Sequence, residues 1–109
     1  DALASTARHL AAQSGRVASV CTGAFVLGAA GLLDERRATT HWRHTAELAS
    51  RHPRTRAEPD RIFVKDGSMF SSAGITAGID LALALLEEDE GSDLTRAVAK
   101  HLVVYLRRP

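Results

Sequence analysis

One cysteine is all the sequence holds, so no intrachain disulfide can brace it, and a fold built on cross-links is excluded. Aromatic residues are scarce, with one Trp, one Tyr and three Phe, and only Trp42 falls among the arginines of residues 36–56. That argues against a stacking groove for nucleic acid and for a solvated charged face. A dominant charge is missing too: fourteen Lys+Arg against thirteen Asp+Glu leaves a formal net charge of +1. So small an excess does not draw the whole surface to phosphate backbones or anionic lipid. No apolar run approaches the roughly 18 residues of a membrane span, and the start lacks the succession of basic, apolar and small residues of a secretory signal. The first residue is Asp1 rather than Met. The expectation is a piece of a longer protein, housed in a reducing cytoplasm.

What is present suits one small domain. Of 109 residues, 45% are apolar and 25% charged, an ordinary globular balance. Residues 2–13 carry Leu3, Ala7, Leu10 and Ala11 at helical spacing, and Ser14 and Gly15 stop the helix. Residues 17–20 are an uncharged β-prone run, which predicts a strand covered on both faces, as in parallel sheets. Residues 22–30 are small or apolar throughout, predicting a helix packed closely against a sheet and ended by Gly31. Residues 38–40 have extended character, residues 43–51 helical character, and Pro53 and Pro59 bracket a polar connection. Residues 61–65 and 68–71 read as two strands joined by the Asp66–Gly67 turn. A helix is expected over residues 76–86, ending near the acidic run 87–90, and Ser92 caps a last helix with Leu94, Val98, Leu102 and Tyr105 on one stripe. Alternating helices and strands predict an α/β sandwich with at least one parallel pair. The first strand follows a helix that needs a further strand upstream to complete a crossover, so part of the sheet is expected to lie outside the chain.

The stretch SVCTGAF, residues 19–25, places the lone cysteine between that strand and the next helix. A residue at such a junction sits in a sharp turn at the sheet edge, flanked two positions away by small residues, here Ser19 and Gly23. Helix N–H groups facing the sulfur favour thiolate over thiol and can hold an oxyanion if the thiolate attacks a carbonyl-like carbon. A free cysteine is equally at home as an inert apolar filler. The motif alone leaves both readings open.

Residues 16–42, RVASVCTGAFVLGAAGLLDERRATTHW, together with residues 71–88, SSAGITAGIDLALALLEE, resemble the ThiJ/PfpI superfamily, the class I glutamine amidotransferase-like domains. The resemblance covers nearly the whole chain and implies a flavodoxin-like sandwich with a mostly parallel sheet, of which this would be the C-terminal part, residues 1–106. Two branches share these words: isocyanide hydratase-like enzymes and the N-terminal domains of AraC-type transcriptional regulators. The segment AVAKHLVVYLRRP, residues 97–109, resembles the regulators more, in which such a helix precedes a linker, here starting at residues 107–109, to a helix-turn-helix domain. The resemblance therefore implies a sensing and dimerising domain with a small-molecule effector, a homodimeric habit, DNA contacted through a separate C-terminal domain, and no membrane. By the same resemblance Cys21 matches the nucleophile-elbow position. Thr22 stands where the protease-like branch has His, so an adjacent Cys–His dyad is missing and peptidase activity is not expected. His41 matches a His that approaches the thiol in several relatives, and the family's acidic partner belongs to an upstream strand.

Other residues have plainer readings. Gly23, Ser72 and Gly74 are expected to line the cleft over Cys21, although Ser71, Ser72 and Gly74 also suit a tight turn and helix cap. His41 alternatively bonds a backbone carbonyl or solvent. His41 and His44 are three apart and with Cys21 would offer three metal ligands, but no further thiol or carboxylate joins them, so no metal and no cofactor is assigned. Trp42 reads as a packing or interface residue. Asp80, inside an apolar helix, reads as a cap or a partner for an arginine.

Overall fold

A computed structural model describes residues 2–106, with the side chains of residues 75, 76 and 103–106 outside the description. The proposed linker at residues 107–109 and the side chain of Tyr105 therefore lie beyond the described residues. Along the chain run α1 (Ala2–Ala12), β1 (Val17–Val20), α2 (Gly23–Ala29), β2 (Arg37–Ala38), a 3₁₀ turn (Trp42–His44), α3 (Thr45–Arg51), β3 (Arg56–Ala57), β4 (Phe63–Asp66), β5 (Met69–Ser72), α4 (Ile75–Glu90) and α5 (Ser92–Leu106).

One sheet has the order β1-β5-β4. β1 runs parallel to β5, from Val17 opposite Met69 to Val20 opposite Ser72, and β5 runs antiparallel to β4. The β4–β5 link is the expected Asp66–Gly67 turn, with Gly67 at φ +63°, a conformation that glycine enters without a Cβ penalty. Its Asp66 carboxylate accepts the Arg37 N–H at 2.8 Å, and the Asp66 carbonyl accepts from the Arg36 guanidinium at 2.8 Å. The hairpin is thereby tied to β2, which pairs in parallel with β3 as a second, two-stranded sheet. Ala24 and Leu27 of α2 pack with Leu33, Ala38, Leu48 and Met69 in one buried cluster.

Several expectations change. β1 is not covered on both faces: Ala18 is exposed, and Val20 is 47% exposed. α4 covers Val20 only in part, at Gly78, where an added Cβ would stand 3.3 Å from Val20 Cγ1. α2 packs against the sheets as expected, through Ala24 and Leu27 beside Met69 and Ala38, and its Gly28 also faces the His52 ring, where an added Cβ would fall 2.7 Å away. The residues expected as one helix over 43–51 divide, because His41 caps a 3₁₀ turn before α3 begins. The polar connection contains β3, too short to carry a period-two signal. α4 does not stop near residue 86 but runs to Glu90 and ends at Gly91, φ +90°. Acidic side chains oppose the dipole at a helix C-terminus. Here they are met by bases from elsewhere: Arg16 contacts Glu88 at 3.3 Å and Asp89 at 2.7 Å, and Lys65 contacts Glu88 at 2.6 Å. The Lys65 hydrogen bond, reinforced by its charge and by Arg16, holds the Glu88 carboxyl below its ordinary value against a smaller opposing desolvation.

Candidate functional site

β1 ends and α2 begins two residues apart, and Cys21 is the first residue of that break. Its φ is +55°, the left-handed region, where a residue with a Cβ is strained by about 1–2 kcal/mol. Surrounding bonds enforce the bend. The Cys21 N–H donates to the Ser72 carbonyl at 3.0 Å, extending the β1–β5 ladder by one residue. The Cys21 carbonyl accepts the Thr40 hydroxyl at 2.8 Å. Beneath the elbow the Ser72 hydroxyl donates to the Ser19 carbonyl at 3.1 Å, and the Ser71 hydroxyl accepts the Thr39 N–H at 2.9 Å. Thr39, Thr40, Ser71 and Ser72 are all within 1% of fully buried, so these bonds form away from water, where leaving a polar group unpaired is costly. Cys21 itself is half-buried and free. The sulfur is thus at the rim of a bend built from three separate segments, and it is not sealed in packing.

The other expected site residues fall into different positions. Thr22 is exposed and helical in conformation, and its side chain makes no capping bond to α2. Gly23 starts α2, and a Cβ there would meet only Ser19 Cβ at an ordinary 3.6 Å. Ser72 lies under the elbow as a fully buried support. Gly74 precedes α4 in extended conformation, φ −170°, with open space where a Cβ would be. His41 is half-buried beside the latch residue Thr40, and its Nδ1 accepts the Arg43 N–H at 3.2 Å. The His41 ring stacks on Trp42 with centroids 5.7 Å apart and lies 5.7 Å from the His44 ring. Trp42 is 68% exposed, with the Arg43 guanidinium 5.1 Å from its ring centroid. Among the described residues no hydrogen bond joins His41 to the thiol, and no group of three or more His, Cys, Asp or Glu is placed to hold a metal ion.

Sequence reasoning misses the role of Thr39 and Thr40. Two adjacent β-branched hydroxyl residues after Ala38, in a short extended stretch, are the available signal, because hydroxyls carried into a core need partners. It also misses Ser19, whose buried hydroxyl has no partner among the described residues. Two hollows lie elsewhere: one of about 360 Å³ between the start of β4, α4 and the start of α5, and a shallow one of about 590 Å³ against α5. Neither is lined by Cys21.

A parallel strand pair whose first strand runs into a cysteine on a left-handed bend, with a helix following at once, defines an α/β protein with a sharp strand-to-helix elbow. Within that class the chain belongs to the DJ-1/PfpI family, whose model matches residues 1–88. It is 50% identical over 97 residues to isonitrile hydratase of Pseudomonas putida, covering 87% of this chain and 40% of that enzyme. It is 38% identical over 94 residues to the HTH-type transcriptional regulator GlxA of Rhizobium meliloti (strain 1021), covering 86% of this chain and 29% of that protein. Among solved structures, an AraC family transcriptional regulator from Pseudomonas putida superposes with a TM-score of 0.82 at 30% identity, over 92% of this chain and 54% of that one. The chain therefore spans about half or less of the length of these proteins. The flavodoxin-like α/β fold is common to them, and no helix among the described residues is long and apolar enough to cross a membrane.

Proposed function

We propose that this chain is the ligand-sensing and dimerising part of an AraC-type transcriptional regulator. The Cys21 elbow marks the mouth of a pocket for a small amine, amide or amino-acid derivative, and a separate C-terminal helix-turn-helix domain reads DNA in the cytoplasm. The observation that carries this reading is the superposition on an AraC family regulator over 92% of the chain. The local geometry agrees with recognition: the hydroxyls of Thr40 and Ser72 are committed to backbone carbonyls and the His41 Nδ1 to a backbone N–H, while among the described residues the Cys21 thiol, the Thr22 hydroxyl and the His41 Nε2 have no hydrogen-bond partner.

A second reading, an isonitrile hydratase-like enzyme, is favoured by the 50% identity to that hydratase and by the half-exposed thiol. In that chemistry the Cys21 sulfur bonds to the terminal isonitrile carbon, which takes up the thiol proton to give a thioimidate. Water then adds to that carbon and the thiol leaves, so isonitrile plus water becomes an N-substituted formamide. Thr22 would position the substrate and a carboxylate from outside the chain would move the proton.

The deciding experiment uses the protein carried to its natural ends. Sequence-specific binding to its own upstream DNA, shifted by a small amine or amide and unaccompanied by isonitrile consumption, supports the regulator. Isonitrile turnover that vanishes in Cys21→Ser, with no specific DNA binding, overturns it in favour of the enzyme.

A further inference from the structure

Four rings follow one another from α2 to the 3₁₀ turn. Phe25 meets His44 edge-on with centroids 6.4 Å apart, His44 lies 5.7 Å from His41, and His41 stacks on Trp42. An arginine stands at each end, the Arg51 guanidinium 5.2 Å from the Phe25 centroid and the Arg43 guanidinium 5.1 Å from that of Trp42. Their surroundings differ. Glu47 contacts both His44, at 3.3 Å, and Arg51, at 3.4 Å, so Arg51 is paired. The Arg43 guanidinium meets no carboxylate and donates no hydrogen bond among the described residues. Two arginines against one glutamate leave the row with an excess of positive charge, and that excess is at Arg43.

His41 supplies a second donor. Its Nδ1 accepts the Arg43 N–H at 3.2 Å, so the proton of the neutral ring sits on Nε2, which has no partner among the described residues. The ring therefore offers a hydrogen-bond donor there and not the lone pair that a general base needs. A guanidinium kept over an aromatic ring is already partly ordered, and its planar fork of N–H groups matches the two oxygens of a carboxylate.

We propose that His41, Trp42 and Arg43 bind the carboxylate end of a small ligand with an apolar body. The Arg43 guanidinium and the His41 Nε2–H donate to the carboxylate oxygens, and Trp42, 68% exposed, takes the apolar part against its ring. One unpaired guanidinium and one ring N–H match a single carboxylate. An acidic peptide or a phosphate backbone would ask for a series of free cations, and the next in the row is already held by Glu47. Thr40, bonded to the Cys21 carbonyl, directly precedes His41, so the site adjoins the elbow. The inference rests on the sensing role proposed above and narrows that ligand to an acid.

The test is a calorimetric titration of the full-length protein with phenylacetate and with its neutral counterpart phenylacetamide, folding being checked by far-UV circular dichroism. Phenylacetate is expected to bind at least about tenfold more tightly than the amide. Arg43→Gln should weaken phenylacetate by about tenfold or more and leave the amide unchanged, and Arg43→Lys, which keeps the charge and loses the fork, should restore only part. Trp42→Leu should weaken both probes alike, because it touches the body and not the charge. Arg61→Gln, which removes the same charge outside the row, should change neither. A parent that binds acid and amide equally, or neither up to about 50 mM, overturns the proposal, as does a folded Arg43→Gln protein that binds phenylacetate like the parent. Failure of these titrations in a protein that binds its own DNA specifically sinks this site and leaves the regulator reading standing. Acid binding that depends on Arg43 in a protein without specific DNA binding sinks the regulator reading and leaves the carboxylate site.

Discussion

The hydroxyl of Thr40 is bonded to the carbonyl of Cys21 at 2.8 Å, so the residue before His41 latches the left-handed elbow. This contact links the site's two candidate chemical groups through backbone, and its removal should loosen both.

Thr40→Val keeps the buried volume and deletes the latch. Losing a buried hydrogen bond and leaving the Cys21 carbonyl unpaired is expected to cost about 1–3 kcal/mol in urea unfolding. Alkylation of Cys21 in the native protein should also change rate relative to the parent. Unchanged stability and labelling would remove Thr40 from the account of the elbow.

The strain at residue 21 has a sign that substitutions report. Cys21→Gly relieves the positive φ but loosens the unfolded chain, and the two effects nearly offset, leaving stability within about 1 kcal/mol of the parent. Cys21→Val places a β-branched side chain at φ +55° and is expected to destabilise by more than about 1 kcal/mol. Equal melting temperatures for the two variants would contradict the strained conformation.

Because Glu88 is held below its ordinary carboxyl range by Lys65 and Arg16, its folded pKa lies under its unfolded one. Its contribution is therefore present above the unfolded value, about 4.3, and is lost as the pH falls through the folded value. Thermal melts from pH 6 to pH 3 should show a steeper acid loss in the parent than in Glu88→Gln. Parallel curves for the two proteins would refute the linkage.

Gly28→Ala tests the contact between α2 and the end of α3. The new methyl would stand 2.7 Å from the His52 ring, and displacing that ring is expected to cost about 1–3 kcal/mol in chemical unfolding. In the background of His52→Ala the same change should cost clearly less. Additive effects would mean that the ring does not confine this glycine.

Much of the frame is legible in the sequence because its signals are local. The uncharged run 17–20, the Asp66–Gly67 pair and the periodic residues of α1 each determine their own element, and the small residues around Cys21 mark the elbow. The foundation of that elbow is not legible, since Thr40 and Ser72 meet it only through tertiary contact. The extent of α4 misleads for a related reason. Acidic residues at a helix end look like a stop signal until Arg16 and Lys65, distant in sequence, arrive beside them. Ser72, expected on the cleft wall, lies beneath it, because a strand in the middle of a sheet turns every side chain into packing.

Neither neighbour of Cys21 holds it in its unusual conformation; Thr40, nineteen residues later, and Ser72 at the far end of β5 do so. During synthesis the bend cannot be set until residue 72 has left the ribosome and closed its loop onto residue 21, so a nascent chain carries this cysteine on an unbent segment. Presentation of the sulfur thereby reports that β1, β5 and the Thr39–Thr40 segment have come together, and a fragment truncated before β5 would keep the motif and lose the shape.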